Sequence, residues 1–144
     1  MYVGIEMTSI DKEIRGWIED GARELGIEAV VLPEAEAAVI NAFLRDRYVN
    51  GNPIAWSWAL KPPYIHFDST KTKLSEVLPT LDGEVYLIPD TPEVNNPVFK
   101  IRAAEVESVI LNCPGFEYSI ANMNGDWLVA EFHHDVFLVS KYPR

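Results

Sequence analysis

The chain has 144 residues, of which 48% are hydrophobic and 24% charged, and its formal net charge at pH 7 is −10. These proportions are typical of a globular domain and argue against intrinsic disorder. A strongly negative protein repels nucleic acid and attracts basic proteins, so we expect a basic protein partner and no nucleic-acid ligand. The sequence contains neither an apolar run near the ~20 residues of a membrane span nor the pattern of a secretion signal. We therefore expect a cytoplasmic protein without a membrane partner.

The acidic residues are concentrated in two parts of the chain. Residues 1–36 hold nine acidic and three basic side chains, and residues 74–135 hold eleven acidic and two basic ones, for net charges of −6 and −9. Residues 45–73 hold two acidic and five basic side chains, a net charge of +3. Basic and aromatic residues alternate there, as in grooves that bind single-stranded nucleic acid. The acidic flanking segments argue against that function.

The first 48 residues predict two helices separated by a short strand. Apolar residues at three- and four-residue spacing predict a first helix that begins at Thr8 or Ser9 and ends at Gly26. A second helix is expected with Pro33 in its first turn. The residues predicted to form its core face are Ala35, Ala38, Val39 and Phe43.

From Tyr48 the sequence changes to a segment rich in proline and aromatic residues. We predict a loop, a short extended piece from Trp56 to Leu60, and a strand at residues 64–68. In the extended piece, Trp56 and Trp58 would share one face. Together with Trp127 they are candidates for an aromatic surface site, although tryptophan more often packs in the core.

Residues 73–113 predict a short helix, two strands and a longer helix. The strands are expected at residues 84–90 and 97–102, and the longer helix at residues 103–113. This helix ends at Cys113, the only cysteine in the sequence, which excludes an internal disulfide. No base or cation lies close to it in the sequence, so we expect a buried, unreactive thiol.

The last third of the chain predicts a β-meander. Asn124-Gly125 lies between two alternating segments and is a strong signal for a hairpin, and a further strand follows Asp135. Helices and antiparallel strands in mixed order, without βαβ units, are typical of an α+β fold. We therefore predict a single α+β domain over residues 1–144, with a mostly antiparallel sheet, a C-terminal β-meander and about three packed helices.

A two-residue turn would fix the register of this hairpin, because every residue then has a defined partner. It places Tyr118 opposite Glu131, and side-chain alternation puts His133 on the same face as both. His134 would point to the other face. A carboxylate beside a histidine fixes the tautomer of the imidazole ring and raises its basicity.

Three interpretations of this polar group stay open: a structural or recognition network, general acid–base catalysis, or the binding of one divalent metal ion with Asp135. Adjacent strand positions diverge, so we expect no metal and no cofactor. The sequence has no glycine-rich phosphate loop, Walker pattern, His-Glu-x-x-His or Gly-x-Ser-x-Gly motif, and no catalytic residue is assigned. Whether the protein is an enzyme therefore stays open. The candidate functional cluster comprises Tyr118, Glu131, His133, His134 and Asp135.

The stretch FEYSIANMNGDWLVAEFHHDVFLVS resembles the C-terminal hairpin of a family of small bacterial proteins of unknown function. That family has a pattern of Glu-Tyr, Asp-Trp-Leu and Glu-x-His-His-Asp. The matching positions are Glu117, Tyr118, Asp126, Trp127, Leu128, Glu131, His133, His134 and Asp135. The resemblance covers roughly the last 60 residues and implies no activity. The acidic α+β layout is also similar to immunity proteins of bacterial toxin systems, such as the SUKH superfamily.

The leading hypothesis is a non-catalytic protein-binding domain of the immunity or inhibitor type, whose acidic surface docks on a basic protein. The alternative is a small enzyme or metal-dependent protein that uses Glu131, His133, His134 and Asp135. A third hypothesis is a structural or regulatory subunit of a larger assembly. The sequence does not define an oligomeric state.

Overall fold

The computed structural model describes residues 3–91, 96–132 and 135–143. The helices in this part of the chain are α1 (Val3–Glu24), α2 (Glu34–Tyr48), α3 (Leu74–Val77) and α4 (Val106–Leu111), with a 3-10 helix at Trp56–Ala59. The strands are β1 (Ala29–Val31), β2 (Ile65–Asp68), β3 (Glu84–Pro89), β4 (Phe99–Arg102), β5 (Tyr118–Asn122), β6 (Trp127–Phe132) and β7 (Val136–Lys141).

The seven strands form one antiparallel sheet in the order β1-β4-β3-β5-β6-β7-β2. The last three strands are neighbours in space as well as in sequence, which confirms the predicted β-meander. The helices and the antiparallel sheet confirm the predicted α+β fold. Within the described residues, no helix combines the length and the apolar character that a membrane span requires.

The sheet buries apolar residues on both faces. Helices α1, α3 and α4 cover one face, where Ile18 and Val109 pack against residues such as Ile120. Helix α2 and the 3-10 helix cover the other face, where Leu44 and Trp56 belong to a second apolar cluster. Since successive side chains of a strand point to opposite faces, a sheet covered twice favours apolar residues at most positions of its central strands. The domain therefore has three layers.

Two helix predictions require correction. Helix α1 begins at Val3, so Thr8 and Ser9 lie inside it rather than at its start. Helix α2 turns a different face to the sheet from the one predicted, and Val39 is 69% exposed. The predicted core residue Phe43 is also exposed. The residues that α2 buries are Ala37, Asn41, Leu44 and Tyr48.

Polar contacts explain this choice of face. The side chain of Asn41 donates hydrogen bonds to the carbonyl oxygens of Ala37 and Asn96, at 2.9 and 2.8 Å. The hydroxyl of Tyr48 donates to the carbonyl oxygen of Gly125 at 2.6 Å. Because buried donors need partners, this face packs inward, where the Asn41 amide and the Tyr48 hydroxyl find acceptors, although Asn41 Oδ1 is buried without a partner among the described residues. Two of these partners, Asn96 and Gly125, lie far along the chain, beyond the reach of a local apolar pattern.

The aromatic segment is helical rather than extended. Trp56–Ala59 forms a 3-10 helix, in which residues two apart point in different directions. Trp56 is therefore 1% exposed while Trp58 is 52% exposed, and the prediction that they share a face is wrong. Trp127 is buried on the α1 side of the sheet. The predicted surface location is thus wrong for Trp56 and Trp127, and only Trp58 of the three is exposed.

The β5–β6 hairpin has the predicted register, with Ile120 opposite Val129. Its turn, however, is not a two-residue Asn-Gly turn. The N–H of Gly125 donates to the carbonyl oxygen of Asn122 at 3.0 Å, so Met123 and not Gly125 lies at the centre of the turn, beside Asn124. The register is unchanged because the longer loop adds one residue on each side of the predicted turn.

The turn docks on α2 and requires glycine at position 125 for two reasons. Gly125 has a φ of 69°, and an added Cβ would lie 2.6 Å from Cε2 of Phe43. The guanidinium of Arg47 donates to the Gly125 carbonyl oxygen at 3.1 Å. It also lies 4.5 Å from the ring centre of Phe43 and 3.9 Å from that of Tyr142. Arg47 thus joins α2, the hairpin turn and the C-terminal segment.

We predict that Gly125→Ala lowers the free energy of unfolding by about 2–4 kcal/mol, from the left-handed backbone and the contact with Phe43. Gly51→Ala is the matched control, because Gly51 has a φ of 68° and no atom within 4 Å of an added Cβ. It should cost only about 1–2 kcal/mol. Urea unfolding of both variants measures the difference, and equal losses would show that the packing contact is unimportant.

Cys113 lies between α4 and α1. Its thiol donates to the carbonyl oxygens of Val109 and Trp17, at 3.1 and 3.3 Å. The side chain is half-buried, and burial together with the negative charge of Glu24 raises the pKa of the thiol to about 11. The predicted burial is therefore only partial, while the raised pKa indicates an unreactive thiol.

We expect Cys113 to react with a thiol reagent such as DTNB at pH 8 at least tenfold more slowly in the native protein than in urea. In the native state about one thiol in a thousand would be ionised at that pH, against about one in four in the unfolded chain. Glutathione, measured in the same solutions, controls for the effect of urea on the reagent. Equal rates in both states would contradict the raised pKa.

Candidate functional site

Tyr118 and Glu131 meet at the end of the β5–β6 hairpin. Ser119 pairs with Ala130, and the same register places Tyr118 opposite Glu131, as predicted. Both residues line a pocket of about 450 Å³, which falls within the range of small-ligand sites. We call it the Tyr118 pocket. The other lining residues come from three parts of the chain. They are residues 69–73 with Leu74 at the start of α3, then Glu107, Ile110 and Leu111 of α4, and Phe137 of β7.

Tyr118 is 1% exposed, and its surroundings keep its hydroxyl protonated. Burial raises the pKa of the phenol far above its ordinary value, and the negative charges of Glu131 and Glu107 raise it further. The phenol therefore cannot act as a base near pH 7. It is available as a hydrogen-bond donor and, through its oxygen, as an acceptor.

The interior of the Tyr118 pocket is acidic, and its basic residues are exposed. Glu107 and Glu131 are both half-buried. One oxygen of Glu107, Oε2, accepts a hydrogen bond from the backbone N–H of Ser75 at 3.1 Å, which fixes the carboxylate. Lys71 and Lys73 also line the pocket, but both are exposed. Since charges interact more strongly away from water, the two glutamates dominate the potential inside.

Asp135 does not line the Tyr118 pocket. Asp135 lies in the turn between β6 and β7, where its carbonyl oxygen accepts a hydrogen bond from the N–H of Ser69 at 3.0 Å. It lines a different depression, beside His66 and Asp68. No group of three or more histidine, cysteine or acidic residues able to hold a metal ion occurs among the described residues.

The remaining two members of the candidate cluster, His133 and His134, lie outside the described residues. The contact of His133 with Glu131 therefore stays a prediction. The pocket also contains three residues that were not predicted from the sequence to belong to this site: Glu107, Lys71 and Lys73. No local sequence signal identifies them, because they reach the pocket from elements that are distant along the chain.

Asp90 is a second unusual group that the sequence reading did not single out. It follows β3 on the α2 side of the sheet, and neither carboxylate oxygen has a hydrogen-bond partner among the described residues, although both are buried. The pKa of Asp90 is raised to about 7, mainly by burial; the backbone N–H of Trp56 opposes this rise, and the negative charge of Glu117 adds to it. The sequence did contain a signal for this buried carboxylate: Asp90 comes two residues after the buried Ile88, so it lies on the same side of the sheet.

We predict that Asp90→Asn makes the protein more stable than wild type at pH 8. The pKa is about 7 in the folded state against an ordinary value of 3.8, so ionisation is disfavoured in the native protein. The free energy of unfolding should therefore fall as pH rises from about 4 to about 7, by up to about 4 kcal/mol, and then level off.

Urea unfolding between pH 4 and pH 8 tests this dependence. The Asp90→Asn protein should lack most of the fall, whereas Asp82→Asn, at an exposed position, should keep the wild-type profile. A variant at position 90 whose pH profile matches that of wild type would show that the Asp90 carboxyl titrates normally.

Comparison with known proteins does not identify a function, so the function has to be inferred from the site. No protein-family model matches the chain, and searches of curated proteins and of solved structures also find no match. The resemblance of the C-terminal hairpin to a bacterial family, and the likeness to immunity proteins, therefore stay predictions.

Proposed function

We propose that this protein is a non-catalytic protein-binding domain of the immunity or inhibitor type, which recognises a basic protein partner. The Tyr118 pocket carries the proposal. Its interior offers two half-buried carboxylates, Glu107 and Glu131, around a hydroxyl that stays protonated. Such a site attracts a cationic group and can hydrogen-bond to it, whereas its phenol cannot remove a proton from a substrate near pH 7.

The charge around the pocket supports a basic partner. Helix α1 packs on the same face of the sheet as α4, so its exposed acidic side chains lie on the side of the molecule that contains the pocket. One of the basic residues of α1, Arg23, forms an ion pair with Asp20. Like charges collected on one side speed the association of an oppositely charged protein. The exposed acidic residues of α1 are Glu13, Glu19, Asp20 and Glu24.

The competing proposal, a small enzyme or metal-dependent protein, needs the candidate residues of the β6–β7 region to converge. Of the two that the structure describes, Glu131 lines the Tyr118 pocket and Asp135 lines a different depression. Since the two carboxylates line different depressions, their arrangement supports binding rather than a shared catalytic or metal centre.

We predict that affinity capture from a lysate of the host organism recovers a basic protein, and that recovery falls steeply between about 50 mM and about 500 mM salt. The Glu107→Gln/Glu131→Gln protein should recover at least tenfold less. Glu34→Gln/Glu36→Gln is the matched control, because it removes the same charge from exposed positions of α2, on the opposite face of the sheet.

Mass spectrometry identifies the captured protein and its isoelectric point. Acidic partners, or recovery that does not depend on salt, would contradict the proposal. Equal losses from the two double variants would show that net charge matters and that the pocket does not.

A further inference from the structure

We infer that the Tyr118 pocket receives one lysine or arginine side chain of the protein partner, with the cationic end between Glu107 and Glu131. The inference rests on the proposed function and names its anchoring contact. The occupant is a cation on a flexible apolar stem, and each part of that side chain has a counterpart in the lining of the pocket.

The apolar lining fits the stem. Leu74 and Phe137 are buried, and Ile110 is half-buried. Leu111 is 78% exposed, more than any other large apolar side chain in the described part of the chain. Lysine and arginine cover apolar surface with their methylene groups while the charged end finds a polar partner. A stem laid along α4 would remove Leu111 from water.

The acidic lining fits the cationic end. Glu107 uses Oε2 to accept the Ser75 N–H, which holds the carboxylate in place and leaves Oε1 for a ligand. Glu131 of β6 lines the same pocket. Hydrogen bonds between an ammonium or guanidinium group and a carboxylate are among the stronger ones in proteins, and more so where water is largely excluded.

The Tyr118 hydroxyl adds a polar group to the site. The side chain is 1% exposed and lines the pocket, where the charges of Glu131 and Glu107 act on the phenol. The phenol oxygen can accept an N–H from a cation held between the two glutamates.

The competing occupant is an acidic group held by Lys71 and Lys73. Both lysines are exposed, so their attraction for an anion is screened by water and salt. Both glutamates, in contrast, act on the buried phenol, where no lysine is among the charges that shift its pKa. The potential deep in the pocket therefore favours a cation.

Blocked amino acids, acetylated at the amino group and amidated with methylamine, test the inference by NMR titration of the isotopically labelled full chain. The lysine or arginine derivative should shift the resonances of α4 and of Tyr118. The norleucine derivative, which has the stem without the charge, and the glutamate derivative should bind at least tenfold more weakly. Cadaverine, a free diamine, distinguishes a small amine from a side chain.

Three variants connect binding to the pocket. Glu131→Gln should weaken the binding of the lysine or arginine derivative at least tenfold. Tyr118→Phe keeps the ring that packs edge-on against Phe116 at 5.8 Å and should weaken it about threefold. Glu34→Gln, at an exposed position of α2 on the opposite face of the sheet, should leave it unchanged.

The inference fails if norleucine or glutamate binds as well as the basic derivatives, if Glu131→Gln has no effect, or if cadaverine binds at least tenfold more tightly than blocked lysine. Probes that bind as expected, together with an acidic or salt-insensitive partner, would keep this inference and remove the proposed function. A basic partner together with probes that do not bind the pocket would do the reverse.

Discussion

Burial of the central sheet on both faces is the constraint on which the other features depend. On the α1 side, strand β5 carries the large residues Tyr118 and Ile120, and on the α2 side it carries the small residues Ser119 and Ala121. Small side chains let α2 and the 3-10 helix approach the sheet closely, so that Tyr48 reaches the hairpin turn. Each fully buried large apolar side chain contributes roughly 1.5–3 kcal/mol, which makes the two apolar layers the main source of stability.

The second layer, on the α2 side, contains the polar atoms that are hardest to explain by packing. The hydroxyls of Ser57, Ser119 and Ser140 are buried without a partner among the described residues, as are the carboxylate oxygens of Asp90. Each such atom lowers stability by about 1–3 kcal/mol unless water or a ligand satisfies it. The pocket with the acidic interior lies on the opposite face, so the two faces of the sheet carry different kinds of polar group.

Features that depend on residues close together in the sequence could be predicted, and features that depend on residues far apart in the sequence could not. The hairpin register follows from a short loop and strand alternation, so the pairing of Ile120 with Val129 and the meeting of Tyr118 with Glu131 were predictable. The buried face of α2 was not, because Tyr48 finds its partner in a turn late in the chain. Glu107, Lys71 and Lys73 could not be assigned to the candidate site from the sequence for the same reason, since tertiary packing brings them to it.

The strand order also has a consequence for synthesis of the chain. Strand β1 pairs only with β4, and β2 pairs only with β7, where Ile65 faces Val139. Both edge strands are therefore made by the ribosome well before their neighbours exist. Until β7 emerges, β2 has no strand to join, and Phe67, which is half-buried in the folded protein, stays in water. Pairings between residues so distant in sequence also form slowly. Strand β2 can therefore pair only once β7 has been made, whereas β1 can pair with β4 before the C-terminal meander exists.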